Sequence, residues 1–303
     1  VNLDIMQGET LCLVGESGSG KTTTARAIGR LTKPTRGTVS FEGTDVLRLR
    51  GKALRDFRRR VQFVFQDPYE ALNPRQRVGA IVSEPLEVHG GGRNRRERDA
   101  LVIASLEACG LTPGHDFARR YPHELSGGQR QRVCIAAATV LRPHLLIADE
   151  PVSMLDVSVR AGVIQLLLSL RKSHNLTLLF VTHDLSLAWA IGDRIAVMYA
   201  GRLLEIGSPS QVILEPVHPY TAALITSIPE ADPDLPLQPV PLVVDASQVS
   251  ESGCCFRARC PYAVNVCESV VPLPEDVGDN HLSACLRSRD IRDQLPKIRL
   301  EAV

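Results

Sequence analysis

Between the apolar stretch Thr10-Leu11-Cys12-Leu13-Val14 and a helix-like segment from Thr22 to Leu31, the chain reads Gly15-Glu16-Ser17-Gly18-Ser19-Gly20-Lys21-Thr22. No other feature narrows the possible folds as far. The spacing is G-x-x-x-x-G-K-[ST], placed after a strand and before a helix, the context this motif needs. Glycines let successive backbone N–H groups turn inward around phosphates. The helix that follows adds the positive end of its dipole. Lys21 supplies a point charge for the β and γ phosphates, and the Thr22 hydroxyl is a hard oxygen ligand suited to Mg²⁺. The expected nucleotide cradle is therefore Gly15, Glu16, Ser17, Gly18, Ser19, Gly20, Lys21, Thr22 and Thr23.

A second small-residue loop lies about a hundred residues on, Ser126-Gly127-Gly128-Gln129 within "YPHELSGGQRQRV". It too reads as a run of backbone N–H groups at a helix start, which raises the question why one nucleotide site needs two cradles. Elsewhere "LLIADE" at 145–150 and "LTLLFVTHD" at 176–184 are continuous apolar runs ending in polar residues. Such runs suit parallel strands buried on both faces, with helices between them, hence an α/β fold. Ligands bind at the carboxyl ends of strands in open α/β sheets. Asp149 at such an end can reach Mg²⁺, and Glu150 beside it can orient or deprotonate an attacking water. Gln66 after "VQFVF" and His183 after "LLFVT" end two more strands. Val1, Leu3 and Ile5 alternate with polar residues, "GTVSFEG" reads as a strand, and "RIAVMYAGRLLEIG" as a closing hairpin.

Composition excludes several classes. The net charge is +1 and aromatic residues are 4% of the 303 residues, so neither a basic footprint nor a base-stacking surface is expected. The basic runs "RDFRRR" and "RNRRER" read as solvated faces. The longest apolar run, "LTLLFV", is strand-sized, so no membrane span is expected, and no secretory signal stands at the N-terminus. That points to a reducing compartment, with cysteines reduced or metal-bound. Cys12, Cys109 and Cys134 sit in apolar surroundings and read as small buried hydrophobes.

The ordered set "GESGSGKT", Gln66 in "FQDP", "LSGGQ", "LLIADE", "SMLD" at 153–156 and His183 in "THD" resembles an ATP-binding cassette (ABC) ATPase over roughly residues 1–215. The wording of "VFQDPYEALNPR", "DEPVSMLDVSV", "MYAGRLLEIG" and "HPYTAAL" is similar to the ATPase subunits of oligopeptide/dipeptide importers, with nickel and glutathione importers close by. The resemblance implies a P-loop NTPase core with a helical subdomain, and Glu150 and His183 as catalytic residues. It places Thr22 and Gln66 on Mg²⁺. It also answers the question of the two cradles: in that family, two ATPase subunits pair head to tail, and Ser126, Gly127, Gly128 and Gln129 of one close over the ATP held by the other. The implied partners are a second ATPase, identical or paralogous, two membrane-spanning permease subunits and, indirectly, an external substrate-binding protein. The implied place is the cytoplasmic face of the membrane. A soluble ABC ATPase without transport function is the alternative. Against it, only about sixty residues separate Gln66 from Leu125, which leaves no room for a long coiled-coil arm.

The expected division is an ATPase domain over 1–228, with its helical subdomain at 67–138. A linker follows at 229–245, where prolines stand at 229, 233, 236, 239 and 241, and then a small cysteine-rich domain at 246–303. In the last part Cys254, Cys260, Cys267 and Cys285 are spaced C-x5-C-x6-C-x17-C. Four thiolates suit a [4Fe–4S] cluster and equally a structural zinc, and spacing alone leaves both open. The resemblance to the importer ATPases implies the iron–sulfur form. Cys255 falls at a variable position of that segment and reads as a spare.

Overall fold

The computed structural model describes residues 1–227 and 252–296. The expected linker at 229–245 lies outside the described residues. The chain divides into two compact units.

The first unit combines Val1–Asp4, Thr10–Lys21 and the chain from Thr182 onward. Its strand Thr10–Val14 is wholly buried and runs parallel to Arg194–Tyr199, with Leu11 opposite Arg194 and Val14 opposite Val197. Arg194–Tyr199 turns back into Arg202–Gly207 as the expected antiparallel hairpin, with a register irregularity between Val197 and Met198. On the free side of Arg202–Gly207 lies Leu282–Ser283, antiparallel, and beyond it Glu275–Asp276. The cysteine-bearing segment therefore extends the sheet that carries the phosphate loop.

A separate C-terminal domain is thus not supported. The physical reason is that this segment buries its apolar groups against residues upstream of 228. Phe256 is 1% exposed, its ring 5.4 Å from that of Tyr199 and 5.3 Å from that of Tyr220. Ile291 and Leu295 pack on Ala222 and Ala223 of the Pro219–Thr226 helix. A segment this short cannot fill a core of its own.

The second unit combines Ile5–Glu9 with Thr22–Val181. Strands Val61–Val64, Leu145–Asp149 and Thr177–Thr182 pair in parallel, Val64 opposite Ala148 and Ala148 opposite Phe180. The last two are buried along their whole length, as parallel strands covered on both faces should be. The return helix Val157–His174 ends at Asn175, whose left-handed φ of 51° stops it. Between the first two strands lie the helices Pro68–Ala71, Val78–His89, Arg95–Ala108, Gly114–Arg119 and Gly127–Thr139. They occupy the span expected to be helical. Asn94 caps one of them by accepting from Glu97 N–H, and Gly90 ends another at φ 70°.

Two expected strands shrink or vanish. "GTVSFEG" keeps only Ser40–Phe41, paired with Thr44–Asp45. The alternation of Val1, Leu3 and Ile5 makes no strand, because alternation forms a ladder only where a neighbouring strand takes its hydrogen bonds.

Candidate functional site

The loop Gly15–Lys21 curls around its own lysine. Lys21 is 5% exposed, and its Nζ donates to the Gly15 and Glu16 carbonyls, both at 2.8 Å. Ser19 N–H donates to Glu16 O, and Gly201 N–H to Ser19 O. Gly15 has φ 151°, and a Cβ there would lie 2.1 Å from the Met198 carbonyl oxygen, so only glycine fits. Gly18 and Gly20 have φ of 79° and 100°, which turns the backbone N–H groups of this loop to one side. Ser17 and Gly18 stand exposed at its tip. Two side chains absent from the sequence reading grip Glu16: the Tyr220 hydroxyl accepts from its N–H, and the Arg259 guanidinium holds its carboxylate. No local pattern could have found them, since they lie 204 and 243 residues away.

In the second unit, the Thr22 hydroxyl donates to Asp149 Oδ1 at 3.0 Å. Asp149 is 2% exposed at the end of its strand. The pair offers two hard oxygens side by side, the donor set that Mg²⁺ prefers. Thr23 follows, exposed on the Lys21–Ile28 helix. Glu150 adopts φ 46°, rare for a residue with a side chain, and is held there by donating its N–H to Val181 O at 2.9 Å. Such strain gathers at functional positions. Gln66, exposed beyond its strand, donates to Glu150 Oε2 at 3.2 Å. The arrangement puts a carboxylate, held by an amide, next to a metal-capable pair. His183 stands exposed one residue past Thr177–Thr182.

The second cradle forms as a helix cap. Ser126 caps Gly127–Thr139: its Oγ accepts from Gln129 N–H, and Gln129 Oε1 accepts from Ser126 N–H. Ser126 is exposed, so this helix start is offered outward. Gly128 is buried, and a Cβ there would lie 2.4 Å from Val159 Cγ1. Gly128 is therefore required because the Val157–His174 helix packs directly against it.

Cys254, Cys260, Cys267 and Cys285 line one small cavity of about 20 Å³, little more than the room for one water. Gly253, at φ 70°, lets the chain pass there: a Cβ on it would meet the Cys267 carbonyl at 2.3 Å, and Cys254 N–H donates to that same oxygen. Burial pushes the Cys260 thiol up to about 12 and Cys285 to about 11, and raises Cys254 as well. Thiols raised in this way stay protonated near neutral pH unless a bound cation displaces the proton. His218 lines the same cavity and is 1% exposed. Burial pushes it down to about 3, so the ring is neutral. Its Nδ1 accepts from Tyr220 N–H, which leaves the proton on Nε2, and Nε2 is buried without a hydrogen-bond partner among the described residues. The four thiols have the donor chemistry of a thiophilic metal centre. Their spacing does not support the expected cluster: among the described residues no three metal-capable side chains stand close enough to share an ion. Cys12, Cys109 and Cys134 are buried thiols raised by desolvation, as a core role requires.

Residues 1–153 match the ABC transporter family, and residues 204–267 match the oligopeptide/dipeptide transporter C-terminal region. A dipeptide transport ATP-binding protein of Lactococcus lactis, DppF, is 49% identical over 247 residues, 81% of this chain and 78% of that protein. A protein of Brucella ovis, provisionally named a peptide import ATP-binding protein, is 45% identical over 289 residues, 95% of this chain and 90% of its own length. Among solved structures, a dimer of the ATP-binding cassette MJ0796 bound to ADP and Pi superposes with a TM-score of 0.62 at 34% identity, covering 69% of this chain and 89% of that one. The cbiO1 subunit of Clostridium perfringens gives 0.63 at 29% identity, covering 70% and 82%.

Proposed function

The chain belongs to the ABC transporter ATPase family, and from that premise we propose that it binds and hydrolyses ATP to drive import of peptides through a membrane complex. The observation that carries this reading is the joining of Thr22 to Asp149 at 3.0 Å, with Glu150 next in the chain in a strained conformation and Gln66 upon it. Gly15 to Lys21 cradle the phosphates of ATP. Thr22, Gln66 and Asp149 would hold Mg²⁺, which would offset negative charge on the phosphates. Glu150 takes the proton of the attacking water, and His183 stabilises the charge that develops on the γ-phosphate. The family match and the relatives' names favour peptides over nickel or glutathione as cargo, and transport over a soluble role.

Ser126 to Gln129 serve a different ATP from the one held at Gly15. Their helix start is exposed, and the related cassette MJ0796 is dimeric in its solved structure. The partner is a second copy or a paralogue, paired head to tail, and two permease subunits complete the machine at the cytoplasmic face of the membrane. Phe65 and Tyr69, both exposed beside Gln66, suit contact with a permease. No helix among the described residues is long and apolar enough to cross a membrane. In the C-terminal segment Cys254, Cys260, Cys267 and Cys285 would hold a [4Fe–4S] cluster once drawn together around it, with zinc as the other occupant that four thiolates accept. Its role there is a cross-link.

Glu150→Gln tests the assignment. ATP binding should persist while turnover of the assembled complex falls by roughly 10² to 10⁴, the usual worth of a positioned general base. Hydrolysis within a factor of about two of the parent would remove Glu150 from the mechanism. Recovery of the chain with two polytopic membrane proteins, and ATPase stimulation by peptides alone, separates import of peptides from the other roles.

A further inference from the structure

Glu16 is held at three points. Lys21 Nζ donates to its carbonyl, and its N–H donates to the Tyr220 hydroxyl at 2.9 Å. Arg259 donates to both carboxylate oxygens, Nη1 to Oε2 at 2.9 Å and Nη2 to Oε1 at 3.0 Å. That is the two-pronged geometry in which Arg binds a carboxylate most strongly. Arg259 is itself fixed. Its side chain is 17% exposed, its guanidinium lies 5.7 Å from the ring centres of Tyr199 and Phe256, and its N–H donates to Phe256 O. All of these residues belong to one compact unit.

A glutamate is an awkward residue for a loop that receives a polyphosphate, because its charge opposes the ligand's. Gly15, Gly18 and Gly20 also leave the loop with much conformational freedom to lose. The arginine answers both problems. We propose that Arg259 is a positioning residue for the phosphate loop, neutralising Glu16 and fixing the backbone there before nucleotide arrives. The cysteine-bearing segment thereby sets the affinity of the ATP site. This rests on reading Gly15–Thr22 as that site.

The test is titration of the full-length chain with Mg-ATP, together with steady-state kinetics of the complex. Arg259→Ala should raise both Kd and KM by about three- to tenfold. Glu16 is 39% exposed and partly screened, which keeps the loss below that of a buried pair. The kcat should stay within about twofold, because Arg259 touches no reacting atom. Arg259→Lys, which keeps the charge without the fork, should fall between and serves if the alanine variant does not fold. The decisive comparison is Arg259→Ala with Glu16→Ala together: removing the stranded carboxylate should recover part of the lost affinity. A merely structural arginine gives no such recovery. Unchanged Kd in Arg259→Ala, or a double variant no better than the single, overturns the proposal. Lys21→Ala is the control on the premise: if it binds ATP as the parent does, the site reading fails and the proposal with it.

Discussion

Glu205 offers a sharp test of how the first unit is held together. It is 1% exposed, yet it carries a carboxylate on which three donors converge. Val217 N–H lies 3.1 Å from Oε1, His218 N–H 2.9 Å from Oε2, and His281 Nε2 2.7 Å from Oε1. These donors come from the start of the Pro219–Thr226 helix and from the cysteine-bearing segment, so one side chain on the Arg202–Gly207 strand ties both down. Glu205→Ala strands the two buried amides and the imidazole and opens a void, so the expected loss is about 3–5 kcal/mol, from about 1–3 kcal/mol for each stranded group. Glu205→Gln keeps the volume but turns one acceptor into a donor. In either orientation its NH₂ faces a backbone N–H, of His218 or of Val217, whereas the imidazole can change tautomer. One such conflict costs about 1–3 kcal/mol. The assay is urea unfolding followed by tryptophan fluorescence. The single tryptophan, Trp189, lies in this unit, on the Leu185–Ile191 helix. Midpoints should fall in the order parent, Gln, Ala, with similar slopes. An alanine variant within about 1 kcal/mol of the parent, or a glutamine variant as weak as alanine, would refute the claim that these three donors depend on the carboxylate.

Other substitutions probe the two cradles and the cysteines. Gly15→Ala should abolish ATP binding, because its Cβ would lie 2.1 Å from Met198 O and force the loop backbone aside; retained binding by calorimetry would contradict the loop geometry. Ser126→Arg should leave ATP binding to the chain's own loop intact yet block ATP-driven dimerisation. Mixed with Lys21→Ala it can form one complete site, so normal dimerisation of the arginine variant alone, seen by size-exclusion chromatography, counts against a trans role. Protein purified without oxygen should contain about four irons per chain and be brown. One zinc without iron would sink the cluster only, and neither metal would sink the metal reading.

The local conformation of several candidate site residues was legible in the sequence because each meets a local demand. Gly15, Gly18 and Gly20 are where the backbone needs positive φ, Lys21 and Thr22 follow at fixed spacing, and Asp149 ends a wholly apolar strand. A helix cap is equally local, so Ser126 and Gln129 announce theirs. The strand alternation at Val1 to Ile5 misled for the same reason in reverse: it is a local pattern without the partner that gives it meaning. The C-terminal segment shows the limit most clearly. Its prolines and cysteines mark a change of composition, and a composition change reads as a domain boundary. What places the segment is non-local. Leu282–Ser283 adds only two residues to the sheet, too few for a period to show. Phe256 looks like any lone aromatic until Tyr199, Tyr220 and His218 surround it. Glu16 and Arg259 are ordinary charged residues until the fold brings them within 3.0 Å across 243 positions. Composition can show where a chain leaves its sheet. Where it returns is decided by which acceptors still lack partners, and here buried Glu205 and half-exposed Glu16 supply the carboxylates that His281 and Arg259 come back to meet.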